Sequence, residues 1–157
     1  MSTGATHIAF GICVGLATSA VTKQISPDII TYSALGALLS DFDTKKSTIS
    51  NLFPMVAIPI DALTKHRGLL HWGTPIALYA AYWYLHQQFL LWLAIGSASH
   101  YGLDVMTKIF GITCNSMGER MLYRMIWIIN IGMIINIVDP DMIGRIMESI
   151  NNFAKEW

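Results

Sequence analysis

Residues 68–103 contain no Asp, Glu, Lys or Arg, a run of 36 residues without a formal charge. As one continuous helix it would measure roughly 54 Å at 1.5 Å per residue, far more than the hydrocarbon core of a bilayer, about 30 Å. The run therefore reads as two apolar helices, and the polar break His86, Gln87, Gln88 is the natural turn between them. Residues 5–22 supply another candidate span, and residues 121–138, with Arg124 near the start, a last one. Ser26 before Pro27 and Asp28 has the form of a cap followed by proline in the first turn, which predicts a helix from 27 to about 40. At near 21 Å that helix is short for a span.

Composition agrees with a membrane chain. Apolar residues make up 54% of the 157 and charged residues 13%, with mean hydropathy +0.48. Ten basic and ten acidic side chains give a formal net charge of zero, which removes the electrostatic footprint of a nucleic-acid binder. Cys13 and Cys114 form no zinc or disulfide pattern, which fits a reducing compartment. The first basic residue, Lys23, follows the first apolar run, so that run reads as mature structure and not as a secretory signal. Between 41 and 67 the sequence predicts an irregular loop with one short, partly inserted helix over 52–62. Asp139-Pro140-Asp141 has the form of a helix start. Behind it Ile143, Ile146, Met147, Ile150 and Phe153 recur at helical spacing, so residues 140–157 are expected to form an amphipathic helix on the membrane surface or on the bundle. The expected fold is thus all-α, a single membrane-embedded helical domain over 1–157 and a polytopic bundle.

If the helices alternate across the bilayer, the N-terminus, the 41–68 loop and the 108–120 loop share one side. That side collects Lys45, Lys46, Lys65, Arg67, Lys108 and Arg120, against Lys23, Arg145 and Lys155 opposite. The excess of Lys and Arg makes it cytoplasmic. Trp72, Trp83, Trp92 and Trp127 fall near expected span ends, where tryptophan anchors at the interface, although core packing also explains tryptophan.

Ionisable groups beside apolar segments carry the chemistry, because a charge at membrane depth costs several kcal/mol unless paired, hydrated or coordinated. They are His7, Asp41, Asp43, His66, His71, His100 and Asp104, and on the alternating topology all seven fall at the same side. His100 and Asp104, four apart, project from one helix face as half of a metal site would. The plainer reading makes His100 a hydrogen-bonded core residue and pairs Asp104 with Lys108. Asp41 and Asp43 follow a helix C-terminus, where negative charge is unfavourable; Lys45 and Lys46 in a solvated turn or a divalent cation would compensate. His66 and His71 converge only if His66 lies in the loop and His71 in the first turn of the next helix. Imidazoles and carboxylates without cysteine suit zinc, manganese or iron. Seven such groups exceed one tetrahedral site, which points to two or more ions, or to ligands plus a base. His86, in the opposite turn, is excluded.

His7 with Gly11, the run Gly36-x-Leu38-Leu39-x-Asp41-x-Asp43, His66-Arg67-Gly68-x-x-His71 and His100-x-x-x-Asp104 occur in this order, and the set resembles the LexA-regulated, membrane-bound metal-dependent hydrolases of the bacterial inner membrane. The resemblance covers residues 4–108. Ser40 stands where that family usually has proline, and Leu70 and Trp72 replace its Thr and Ser. Through a distant similarity to zinc-dependent phospholipase C, it implies a phosphoesterase, with zinc first among the divalent ions and a phosphorylated, lipid-linked substrate. The expected mechanism has the seven side chains hold the ions at the cytoplasmic interface. There a metal-activated water attacks phosphorus, Asp43 or Asp104 acts as general base, and Arg67, with Lys65 close by, steadies the developing charge. The competing class is transport or metal sensing, which places polar groups through the whole bilayer; a third is a non-catalytic membrane protein.

Overall fold

The computed structural model describes residues 3–40, 69–142, 144, 145, 147, 148 and 150, with side chains of the second block from 73 onward. Among the described residues the regular structure is entirely helical. The helices are α1 (Gly4–Thr22), α2 (Pro27–Leu39), α3 (Leu69–Leu85), α4 (Gln88–Ile109) and α5 (Met117–Val138).

Their ends follow local chemistry. Ser26 accepts a hydrogen bond from the Asp28 N–H at 3.3 Å, with Pro27 already holding the φ of the first turn. Lys23 closes α1 in the left-handed region (φ 54°), and His86 has the same φ in the turn between α3 and α4. Asp139 accepts from the Asp141 N–H at 3.2 Å, and the described residues from Met142 to Ile150 are helical and exposed. The expected start of α5 at 121 moves back to 117, because Ser116 accepts from the Glu119 N–H at 3.1 Å. The short helix expected over 52–62, and Ile143, Ile146 and Phe153 of the expected C-terminal helix, lie outside the described residues.

Contacts between helices set their directions. Gly11 of α1 faces Ser33, Ala34 and Ala37 of α2, and Gly15 faces Ile29 and Ile30, so the two run antiparallel. Gly96 and His100 of α4 meet Ser33 and Ala37 in turn, so α2 and α4 run in the same sense. Thr6 reaches Glu119 and the Ala9 carbonyl accepts from Asn130, so α1 and α5 also share a direction. Thr3, Ser40, Asp104 and Asn115 therefore stand at one end of the bundle, and Thr22, Pro27 and Gln88 at the other.

Small residues make these contacts close. A Cβ on Gly11 would sit 2.9 Å from the Ala37 Cβ, and one on Gly15 2.8 Å from the Ile30 Cα. On Gly36 it would strike the Leu93 carbonyl, and on Gly96 that of Ser33. Packing of backbone on backbone through glycine is how helices associate where lipid removes the hydrophobic drive between them.

Among the described residues two helices are long and apolar enough to cross a membrane, α1 and α5. Four spans were expected. α3 has 17 residues, and α4 is diluted by Ser97, Ser99, His100, Asp104 and Lys108. Only 11% of the apolar window of α5 is buried, and Met121, Met125, Ile128 and Ile131 on it are exposed. Trp127 does not stand at a helix end. It lies midway along α5 and packs on the cluster of Ala9, Leu103 and Ile126, so core packing accounts for it.

Candidate metal centre

Three of the seven candidate ligands meet at the Thr3 end. His7 comes from the second turn of α1, His100 and Asp104 from one face of α4. The His7 Nε2 lies 3.4 Å from the Asp104 Oδ1, and the His100 Nε2 lies 3.8 Å from its Oδ2. The two imidazoles stack with centroids 3.8 Å apart and planes inclined by 17°. One donor atom from each residue falls within 4.8 Å of the others. Both histidines are buried, whereas Asp104 keeps 17% of its side chain exposed, which leaves an approach from the bundle end. The plainer pairing of Asp104 with Lys108 does not form; the carboxylate faces the imidazoles instead.

The tautomer of His100 is fixed by its surroundings. Its Nδ1 lies 2.9 Å from the Ala37 carbonyl, and a carbonyl oxygen only accepts, so Nδ1 carries the proton. In the neutral ring Nε2 then carries the lone pair, on the side of the ring that faces the Asp104 carboxylate at 3.8 Å. This is the outer-shell arrangement that orients metal-binding histidines. Two imidazoles and a carboxylate are groups that could hold a metal ion, of the kinds that zinc, manganese and iron take as ligands. The Ala37 carbonyl carries no side-chain identity and is invisible to motif reading.

Of the remaining candidates, His71 falls in the first turn of α3, one of the two conditions for its convergence with His66. Its side chain lies outside the described residues, as do Asp41, Asp43, His66 and Arg67. Two facts bear on where their neighbours stand. Ser40, the residue before Asp41, is 2.7 Å from the Ser97 Oγ, one turn from His100. α3 starts 17 residues back from the α3–α4 turn, and Asp104 is the seventeenth residue of α4, so the first turn of α3 is level with Asp104. His86 stands at the far end, in the turn between α3 and α4.

Beside this cluster is a buried carboxylate that the sequence reading passed over. Glu119 accepts from the Thr6 hydroxyl at 3.1 Å and from the Thr3 and Asn115 N–H groups. Ser116-Met117-Gly118-Glu119 has the form of a capping box, which would have marked both the helix start and the glutamate.

Residues 1–149 match the family described as YdjM inner membrane protein. The chain belongs to that family. It is thus a membrane protein of an inner-membrane family, and the match extends past the motif-bearing residues 4–108 through α5. No curated protein and no solved structure matches it. In this YdjM-family chain, α1 and α5 are, among the described residues, the two helices that meet the length and apolarity of a span.

Proposed function

We propose that this YdjM-family protein is a multi-pass, metal-dependent hydrolase of the inner membrane, with its site at the cytoplasmic end of the bundle. The convergence of His7, His100 and Asp104 from two helices carries the reading. His7, His100 and Asp104 would hold a divalent ion, zinc first. Asp41, Asp43, His66 and His71 would complete a site of two or more ions, as their sequence positions beside α2 and α3 suggest. A bound divalent ion supplies a Lewis acid for a phosphoryl oxygen and lowers the pKa of water. The chain's own part is positional. The Ala37 carbonyl orients His100, Asp104 or Asp43 takes the proton as general base, and Arg67 faces the negative charge that grows on a phosphoester. The lysines and arginines flanking residues 41–68, together with Lys108 and Arg120, support the cytoplasmic assignment. A phosphorylated, lipid-linked substrate accords with a site at a membrane surface. The clustering of ionisable groups at one end favours an interfacial enzyme over a conduit.

The test is metal analysis of the full-length protein purified in detergent, paired with hydrolysis of a chromogenic phosphodiester. Wild type is expected to retain zinc or manganese and to turn over, while His100→Ala and Asp104→Ala lose at least about tenfold in metal affinity and all turnover. Metal retained equally by both variants would reduce the cluster to a buried His–Asp contact. Metal lost in the variants, without turnover in the wild type, would favour sensing or transport.

A further inference from the structure

At the same end of the bundle, the start of α1 and the first two turns of α5 enclose an open pocket of about 310 Å³. Arg120, Tyr123 and Arg124 line its α5 wall, and Thr3 and Thr6 the wall of α1. Its one acidic lining residue, Glu119, already has its oxygens engaged by Thr3, Thr6 and Asn115. Neither guanidinium is ion-paired with it or, among the described residues, with any other carboxylate. Arg120 donates one N–H to the Asn115 carbonyl at 3.1 Å, which leaves further N–H groups of its fork for a ligand. Arg124 sits two turns into an apolar helix, where an uncompensated cation is costly.

Two arginines one turn apart beside an engaged carboxylate are complementary to a phosphate, which accepts paired N–H bonds from the planar guanidinium. The adjoining surface of α5 says what the phosphate is attached to. Met121, Met125 and Ile128 are exposed beside the arginines, an apolar track beginning at the level of the pocket. We propose that this pocket seats the headgroup phosphate of an anionic phospholipid, held by Arg120 and Arg124 with the Tyr123 hydroxyl as a further donor, while the acyl chains lie along α5. The site is separate from the His7–His100–Asp104 cluster and does not depend on an ion being bound there.

Native mass spectrometry of the detergent-solubilised full chain tests it, with EDTA present so that no metal bridges the anion. The probes are short-chain phosphatidylglycerol, short-chain phosphatidylcholine and inorganic phosphate. Phosphatidylglycerol is expected to bind more tightly than the other two. Arg124→Gln should weaken it about tenfold and the double variant with Arg120→Gln should abolish it. Lys108→Gln, at the same end but outside the pocket, should leave binding unchanged. Arg124→Lys preserves the charge on an exposed helix position and should fall between wild type and Arg124→Gln, which keeps the test valid if the double variant does not fold. Undiminished binding in Arg124→Gln, or equal loss in Lys108→Gln, overturns the site. Inorganic phosphate binding as well as phosphatidylglycerol overturns the lipid assignment.

Discussion

An acidic side chain in an apolar helix is costly unless its oxygens are engaged, and Glu119, 3% exposed, engages both. Its partners are the first residues of α1 and the turn before α5, so one carboxylate ties together chain segments more than a hundred residues apart. Removing it leaves two backbone N–H groups and a hydroxyl without their acceptor. Glu119→Ala is therefore expected to cost about 2–3 kcal/mol, and Glu119→Gln less, since its amide oxygen still accepts. Thermal unfolding of the purified protein in detergent measures both; an unchanged midpoint in Glu119→Ala would show that the tie contributes nothing. The metal-affinity losses predicted for His100→Ala and Asp104→Ala belong to this scale too, because each removes one donor from a set of three. The histidines and Asp104 could be picked from sequence because their side chains are chemically distinctive and their spacing on α4 is regular. For Glu119 the capping-box spacing from Ser116 marks the residue, but its tie to α1 is not legible, because the partners are mostly backbone atoms whose positions follow from folding.

The helices were legible where punctuation is local. Ser26-Pro27 marks the start of α2, the polar break at 86–88 separates α3 from α4, and Asp139 opens the segment after α5. The contacts between helices were not, since a glycine in a sequence does not announce which backbone will approach it. Gly96 illustrates the difference. It lies in an ordinary run, Ile95-Gly96-Ser97, yet a Cβ there would meet the Ser33 carbonyl. Gly96→Ala must push α2 and α4 apart, with an expected loss of about 3 kcal/mol or more. Gly132→Ala, on α5, meets open space and is expected to be neutral or slightly stabilising through helix propensity. Comparing the two melting temperatures checks the claim, which fails if both variants behave alike. Because the Ala37 carbonyl orients His100 across the same α2–α4 contact, Gly96→Ala should also weaken metal retention.

Across the whole molecule, the order of helix directions puts the loop 110–116 at the His7 end and the turn at 86–87 opposite. Cys114 lies exposed in that loop, while Cys13 is partly covered in α1. The native chain thus carries its own topology reporter. In a Cys13→Ala background, a membrane-impermeant maleimide is expected to label Cys114 in inverted inner-membrane vesicles and not in intact spheroplasts. Labelling in spheroplasts would put the cluster on the outer side and reverse the orientation inferred from Lys and Arg. The alternation of helix direction along the bundle was readable from the spacing of apolar runs, but which helices are long and apolar enough to span was not. Packing α4 against three other helices lets it carry Ser97, His100 and Asp104 inward, so its mean hydropathy understates how well it is shielded.

Glycines at 11, 15, 36 and 96 bring three helices together with almost nothing between their main chains. Such a joint has no compliant layer. Under strain on the bundle α1, α2 and α4 are therefore expected to lean as one block, with the gap between His7 and Asp104 held while the elements around it adjust.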